Sequence, residues 1–263
     1  MKLTQIMRTA FLAFLMLNLA SEAYAQDVRD IRSDQIRSPH ISFTMGGLIP
    51  RADLNERYGL FGMMLANFAV KEENNFYWGI RCGLINGSFN ITDEPGFLSN
   101  LFTDQGTIID NEGDVAKIKV SGRGGLYGIQ LGKIFHQAIS FFKSNKNSGL
   151  FLRADLGLIH HKIRMDFTEN KITQLEDPYV KGYDRFCLGY FSSVFLGYWH
   201  MSTNKQFNYF FGANFLAGQT YPMRTTNFDT GIPDEDARFD AGFGLEFGWV
   251  FHLYKQTHNQ NWH

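Results

Sequence analysis

The chain has 263 residues, with 25 Lys and Arg against 26 Asp and Glu, which gives a formal net charge of -1 at pH 7. A balance this close to neutral excludes the strongly basic type of nucleic-acid-binding protein. Phe and Gly each occur 26 times, Pro occurs six times, and aromatic residues form 16% of the chain. Abundant aromatic residues and glycine are typical of strand-rich proteins, barrels among them.

Residues 1–25 have the features of a secretory signal peptide. Lys2 and Arg8 precede a short apolar stretch, and Ala23–Ala25 has small residues where a signal peptidase cleaves. The apolar stretch is too short to cross a bilayer as a helix, which argues against a retained membrane anchor. We therefore predict an exported chain with a cleaved signal peptide, followed by a short periplasmic segment over 26–38.

Eight runs follow in which apolar residues alternate with small or polar ones. Alternation with a period of two indicates strands, because successive side chains point to opposite faces. Most of the runs are longer than the about 5 to 6 residues of an average strand in a soluble protein. In chain order the predicted strands are His40–Ile49, Arg57–Lys71, Asn75–Asn90, Lys117–Phe135, Gly149–Phe167, Tyr183–Met201, Phe207–Tyr221 and Phe239–Tyr254.

The connections between these strands alternate in length. Those after the second, fourth and sixth strands are short, whereas those after the third, fifth and seventh are longer; Pro50–Glu56, after the first, is short for an external loop. Short periplasmic turns and longer external loops characterise the barrels of Gram-negative outer membranes. We predict an all-β, eight-stranded antiparallel up-and-down transmembrane barrel of the outer-membrane type over 39–255, with a periplasmic tail over 256–263.

The last strand shows two different faces most clearly. Its odd positions are apolar from Ala241 to Leu253, whereas its even positions include three glycines and Glu246. A soluble sheet, the other interpretation, would carry Lys, Thr and Glu on its polar face rather than repeated glycine. The apolar face is therefore predicted to contact lipid. The predicted lipid-facing residues are Phe243, Leu245, Phe247 and Trp249 here, with Phe211 and Phe215 on the seventh strand.

Four charged residues are predicted to point into the barrel: Arg81, Arg153, Asp155 and Glu246. An eight-stranded barrel is narrow enough for side chains to fill it. Because an isolated charge there is costly, we predict at least one ion pair between Arg and a carboxylate. Inward glycines would leave room for large inward residues of neighbouring strands.

Two details of strand orientation are less regular. The fifth strand changes phase at His160 and His161, which predicts a bulge or the point where the strand leaves the membrane. Cys82 is predicted to face outward and Cys187 inward, so we expect two free thiols rather than a disulfide.

The segment EFGWVFHL resembles the terminal-strand signal read by the machinery that assembles outer-membrane barrels. Glu246, Gly248, Phe251 and Leu253 carry the resemblance. The pattern usually closes the chain, whereas here Tyr254 and the nine residues KQTHNQNWH follow. The resemblance implies that this assembly machinery is a partner during biogenesis.

The C-terminal half, from Met165 to Tyr254, resembles small outer-membrane barrel proteins common in Bacteroidetes and grouped with PorT-like barrels. The segments that carry the resemblance are Gln174–Arg185, STNKQFNYFFG and Asn227–Trp249. It implies a barrel fold, an outer-membrane location and an association with protein secretion or envelope assembly. It implies no particular reaction, because the members of this group are largely uncharacterised.

An enzyme that modifies lipid A is one alternative function. It would need a Ser, a His and an acid held together near the outer rim. The spacing of the candidates along neighbouring strands makes such convergence doubtful. The candidates are His160 or His161, Ser192 or Ser193, and Asp166 or Asp184.

Metal binding and conduction are two further alternatives. The acidic segments 110–114 and 234–236 offer oxygen ligands, but neither has EF-hand spacing, and we expect no metal and no cofactor. A small porin would need an open lumen, against which the bulky inward candidates Phe191, Phe195 and Trp199 argue. Basic residues near the rims are expected to meet phosphates of lipopolysaccharide or loop carboxylates: Lys117, Lys119, Lys162, Arg164, Lys181 and Arg185.

The function favoured by the sequence is that of a non-catalytic barrel that anchors or docks a partner. The predicted external loop Ile91–Ala116 contains FLSNLF, an apolar patch that solvated loops rarely carry. This patch is expected to fold over the barrel mouth or to meet a partner. The expected partners are outer-membrane lipid with lipopolysaccharide and a periplasmic or outer-membrane protein.

Overall fold

The computed structural model describes residues 34–87, 97–136, 145–167, 171–202 and 207–253. The predicted signal peptide over 1–25 and the predicted tail over 256–263 lie outside these ranges. Within them, no helix has the length and apolar character needed to cross a membrane.

Eight antiparallel strands form one closed barrel in chain order, and the last strand pairs with the first. The predicted all-β, eight-stranded up-and-down barrel is thereby confirmed. Alternating side chains produce the strands, with proline confined to the strand ends, and closure leaves no edge without a hydrogen-bonded neighbour. The strands are β1 Ser38–Ala52, β2 Phe61–Lys71, β3 Phe76–Gly87, β4 Lys119–Phe135, β5 Gly149–Asp166, β6 Cys187–His200, β7 Tyr209–Pro222 and β8 Arg238–His252.

The start of the second strand differs from the prediction. A short helix, α1 Asp53–Arg57, follows β1, and β2 begins only at Phe61. Asp53 and Glu56 lie in the first turn of the helix, where acidic side chains complement its positive end. Leu54 and Arg57 are buried, so the first connection folds back onto the barrel instead of extending the strand.

The phase change predicted in the fifth strand is wrong, and no bulge is present at His160 and His161, whereas emergence of the strand from the membrane there stays a prediction. β5 pairs with β4 without interruption from Leu150 to Asp166. His160 faces outward and His161 faces inward, where it is fully buried. The polar inward residue suggested a break, although the alternation continues through it.

The barrel interior has three layers. The layer at the short-turn end is aromatic and includes Trp199, Phe151 and Phe210. Charged residues cross the middle of the barrel. The layer at the long-loop end is apolar and combines strand residues such as Phe61 and Leu126 with residues of the loops. The lumen is therefore filled along the described strands.

One inward glycine shows how this filling is achieved. Gly248 on β8 lies directly opposite Phe210 on β7, and a Cβ atom at residue 248 would lie 2.2 Å from the Phe210 ring. The ring cannot easily move, because it stacks on Trp199 with a centroid distance of 5.8 Å and contacts Phe195 and Phe151. Gly248 thus makes the room that the aromatic layer occupies.

Gly248→Ala is expected to lower the free energy of unfolding by about 1–3 kcal/mol, the usual cost of overpacking a tight core. Gly62→Ala is the matched control, because residue 62 faces outward and the nearest atom to an added Cβ is 3.8 Å away. Urea titration of the two variants in lipid vesicles compares them. Equal stability of the two variants would contradict the packing argument.

Candidate functional site

A ring of four charged side chains crosses the middle of the barrel. Arg81 on β3 and Arg153 on β5 both bind the carboxylates of Asp155 on β5 and Glu246 on β8. Arg81 Nη2 donates to Glu246 Oε1 at 3.1 Å, and Arg153 Nη2 donates to Glu246 Oε2 at 2.8 Å. Arg153 Nε donates to Asp155 Oδ1 at 2.9 Å, and Arg81 Nη1 also donates to Asp155. The structure brings all four predicted inward charges together as a neutral cluster.

This charge ring is buried and well supported. Every member has a side chain that is at most 2% exposed. Ser193 donates a further hydrogen bond to Asp155 at 2.8 Å, and the Arg153 guanidinium lies 4.7 Å from the centre of the Phe195 ring. Buried charges are tolerated when they are paired and hydrogen-bonded in this way. The ring therefore blocks the lumen instead of lining an open path.

The short-turn end of the barrel is closed by the segment that precedes β1. Lys71 is buried, and its Nζ atom donates to the carbonyl of Ile36 at 3.0 Å and to Asn147 Oδ1 at 2.8 Å. Asn147 also donates to the carbonyl of Asp34 at 2.7 Å. A lysine from β2, a turn before β5 and the N-terminal segment thus form a floor beneath the aromatic layer.

A second buried polar cluster lies near the long-loop end. Its centre is His161, whose Nε2 lies 2.9 Å from Asp240 Oδ2 and whose Nδ1 lies 3.2 Å from the Tyr58 hydroxyl. Thr220 donates to the same Asp240 oxygen at 2.6 Å. The sequence-based interpretation missed this cluster, because its members come from β5, β7, β8 and the loop before β2. The only sequence signal was a polar residue at an inward position.

The predicted Ser-His-acid candidates do not converge. His161 and Ser193 both face inward, but Ser193 bonds to Asp155, six residues and about 20 Å along β5 from His161. His160 faces outward against the Tyr127 ring, and Ser192 donates to a backbone carbonyl. The acids have other partners, with Asp166 bound to Arg164 and Asp184 bound to Arg224.

The loops at the long-loop end fold over the barrel mouth. The apolar patch FLSNLF contributes Leu98, which is buried in the upper apolar layer with Leu175 and Tyr183 from another loop. Phe102, the last residue of the patch, remains half exposed. Part of the patch therefore packs on the barrel mouth, which is one of the two expected outcomes. The other outcome, contact with a partner, stays a prediction.

An ionic cluster joins the loops above this apolar layer. Asp234 accepts hydrogen bonds from Arg57 at 2.6 Å, Arg185 at 3.0 Å and Asn227 at 2.8 Å. Arg185 also binds Asp229 at 2.9 Å. The cluster lines a cleft of about 950 Å³ at the mouth, whose other lining residues include Glu56, Glu235, Asp236 and Arg238.

The environment of Asp234 shifts its acidity. Burial alone would raise the pKa of its carboxyl, but the charge of Arg57, its hydrogen bond and the charge of Arg185 together lower the pKa below its ordinary value. Asp234 is therefore ionised at neutral pH.

The acidic segment 110–114 is a closed turn. Asp110 Oδ1 accepts hydrogen bonds from the backbone N–H groups of Glu112 and Asp114, each at 2.9 Å. In the described ranges no three His, Cys, Asp or Glu side chains are arranged to hold a metal ion. The other acidic segment, 234–236, contributes Asp234 to the ionic cluster.

The outer wall of the barrel is apolar. The six residues predicted to face lipid all point away from the lumen, with exposed fractions between 37% and 70%. They are Phe211 and Phe215 on β7 and Phe243, Leu245, Phe247 and Trp249 on β8. Surfaces this apolar are rare on monomeric soluble proteins and are typical of membrane contact.

The residues of the predicted assembly signal occupy both faces of β8. Glu246 belongs to the charge ring and Gly248 accommodates Phe210, whereas Phe251 and Leu253 face outward and are about half exposed. β8 pairs with β1 along its length and closes the barrel. Recognition of this strand by an assembly machinery stays a prediction.

The two cysteines lie on opposite faces, Cys82 exposed on the outer wall and Cys187 buried inside, and both thiols are free. Arg57 Nη1 lies 3.4 Å from Cys187 Sγ. Neither thiol belongs to the charge ring.

No family model and no curated protein matches the chain. Among solved structures, it is similar to Ail, the attachment invasion locus protein of Yersinia pestis, with 11% identity and a TM-score of 0.39 over 82% of this chain and 99% of that one. It is also similar to the N-terminal β-barrel domain of Pseudomonas aeruginosa OprF, with 11% identity and a TM-score of 0.34 over 81% of this chain and 98% of that one. The similarity to the outer membrane protease OmpT from Escherichia coli has 11% identity and a TM-score of 0.28 over 82% of this chain and 96% of that one. Likenesses this distant assign no function, and the resemblance to PorT-like barrels stays a prediction.

Asp155→Ala is expected to lower the free energy of unfolding by about 3–5 kcal/mol, because it leaves two buried arginines facing one carboxylate. Asp166→Ala removes a carboxylate from the same strand, but its pair with Arg164 is exposed and is expected to contribute less than about 1 kcal/mol. Urea titration in lipid vesicles measures both. Similar losses in the two variants would show that the charge ring does not stabilise the barrel.

The ionic cluster is expected to loosen in acid. Because the pKa of Asp234 is lowered in the folded state, its stabilising contribution is complete above the ordinary Asp pKa of about 3.9 and is lost as the pH falls through the lower folded pKa. Hydrogen exchange in residues 223–237, corrected for intrinsic rates, should show greater protection in the wild type than in Asp234→Asn at pH 6. The difference should disappear in strong acid; a difference that is constant with pH would refute this contribution.

Proposed function

We propose that the protein is a non-catalytic outer-membrane barrel that acts as a structural or docking component of the cell envelope. The observation that carries the proposal is the filled interior, which combines a floor, an aromatic layer, a neutral charge ring and an apolar layer under the loops. With the lumen occupied, the outer wall and the loops are the surfaces on which the protein can act.

The apolar outer wall supports the location in an outer membrane. Every strand carries large apolar residues on its outward face, whereas charges lie inside or toward the strand ends. The long strands and the closed hydrogen-bonding ring suit a bilayer, in which every backbone polar group needs an internal partner. The signal peptide predicted for 1–25 supports export to the periplasm.

A hairpin in the third connection is a suitable docking surface. Ile109 and Val115 pair across this hairpin and are 46% and 61% exposed. The hairpin is held in place, since the Asn111 N–H donates to the Lys171 carbonyl at 2.9 Å and its side chain donates to Thr173 at 2.8 Å. A fixed apolar pair on an external loop favours a protein partner. The resemblance to PorT-like barrels suggests that this partner belongs to protein secretion or envelope assembly.

Two alternative functions have weaker support. A lipid A-modifying enzyme needs a nucleophile, a base and an acid in contact, and the candidate residues lie in separate layers or on opposite faces. A small porin needs a continuous aqueous path, which the charge ring and the packed aromatic layer interrupt.

Purification from native outer membranes tests the docking function. The double variant Ile109→Asp with Val115→Asp is expected to lose a protein that co-purifies with the wild type. The control Ile232→Asp changes another exposed apolar residue, 67% exposed on the last loop, and should retain this protein. Mass spectrometry identifies the bound proteins. A steady conductance of the wild type in planar bilayers, or identical co-purification of all variants, would count against the proposal.

A further inference from the structure

Three polar side chains interrupt the apolar outer wall near the long-loop end. Asn86 on β3 pairs with Arg123 on β4, and Arg123 pairs with Lys162 on β5. All three face outward, so they form one row across three neighbouring strands, here termed the cationic row. Arg164 lies two residues nearer the long-loop end on the same face of β5.

The cationic row places two positive charges directly opposite each other. Like charges on directly opposed residues of neighbouring strands destabilise a sheet unless an anion lies between them. Arg123 is exposed and makes no ion pair or side-chain hydrogen bond with any residue in the described ranges. Its guanidinium can donate two parallel hydrogen bonds to one anion.

The positive charge of Lys162 is only partly neutralised by its neighbours. Its Nζ atom lies 3.5 Å from Asp184, and its side chain is 43% exposed. Asp184 is already bound by the Arg224 guanidinium through two hydrogen bonds of 2.7 and 2.5 Å. The carboxylate is thus shared between two cations, which leaves a net positive charge at this edge of the row.

An aromatic pair lies immediately below the cationic row. The rings of Tyr127 and His160 are stacked, with centroids 5.8 Å apart and planes inclined by 14°. The Tyr127 hydroxyl reaches up over Gly125, where it would lie 3.1 Å from an added Cβ. Stacked aromatic rings with a polar tip are typical of the boundary between hydrocarbon and headgroups.

Below this pair the outer wall is apolar again. Ile129 and Leu131 on β4 and Leu156 and Leu158 on β5 face outward and are 47% to 57% exposed. Along the outer wall toward the long-loop end, these strands therefore present first an apolar surface, then an aromatic pair and then a row of groups that can bind an anion. This order matches an acylated molecule with a phosphorylated head.

We propose that the cationic row binds a phosphate of an acylated glycolipid in the outer leaflet, with the acyl chains lying along the outer wall of β4 and β5. The inference rests on the proposed outer-membrane location. Arg123 holds the phosphate through two N–H groups, Lys162 adds a second charge and Asn86 adds an amide donor. The aromatic pair contacts the first carbons of the chains.

Binding of lipid A to the purified full-length protein in detergent micelles tests this site. Native mass spectrometry compares diphosphorylated lipid A, the same lipid with both phosphates removed, and inorganic phosphate. Arg123→Gln and Lys162→Gln are each expected to raise the Kd for the phosphorylated lipid on the order of tenfold, the usual effect of a charge-assisted hydrogen bond. Arg123→Lys should retain part of the affinity because it keeps the charge.

Lys133→Gln is the matched control. Lys133 also faces outward on β4, but it lies at the short-turn end, opposite Phe76 and Leu152. The Lys133→Gln variant should bind the phosphorylated lipid with the same Kd as the wild type. Circular dichroism verifies that each variant is folded.

Equal binding of the dephosphorylated lipid, or equal loss in Lys133→Gln, would overturn the site. Displacement of the lipid by an equal concentration of inorganic phosphate would also overturn it, since the ligand would then be the free anion. Membrane fractionation of the native protein tests the proposed location separately. A protein found in the outer membrane whose variants bind lipid A equally contradicts the lipid site alone.

Discussion

Mutual neutralisation of two arginines and two carboxylates at mid-height is the interaction around which the barrel interior is organised. Each arginine binds both acids, so no single charge is left without a partner in a region from which water is excluded. Apolar and aromatic residues can then pack directly above and below the charge ring. A barrel with any one of these charges missing would need water, and hence open volume, where the structure has side chains.

Because side chains fill the lumen, the surfaces left for binding are the outer wall and the loops. The floor at the short-turn end is attached to the barrel through buried Lys71, and the loops at the other end are joined to one another through buried Arg57. These contacts connect segments far apart in the chain, so the loops are held as a fixed platform over the mouth. A fixed platform lowers the conformational entropy lost on binding a partner.

Alternation along the strands made most of the fold predictable. The face of each residue follows from its parity, which is why Glu246 was expected inside and Phe247 outside before any register was known. The contacts between loops and the contacts across the lumen could not be predicted in this way. Arg57 and Asp234 are 177 residues apart, and His161 and Asp240 are 79 apart. Their meeting depends on strand stagger and loop path, neither of which leaves a periodic signal in the sequence.

Height along the barrel wall is a second property that alternation does not encode. By parity alone, Arg123 and Tyr127 are both outward residues of β4, and nothing in the pattern separates a position in the apolar wall from one at its edge. The pairing of β3, β4 and β5 gives the height of each residue, since it aligns Asn86 and Lys162 with Arg123. Four residues of strand, about 13 Å, separate Tyr127 from Arg123. The edge of the apolar wall must fall within that interval, where an aromatic ring, a glycine and a cation succeed one another.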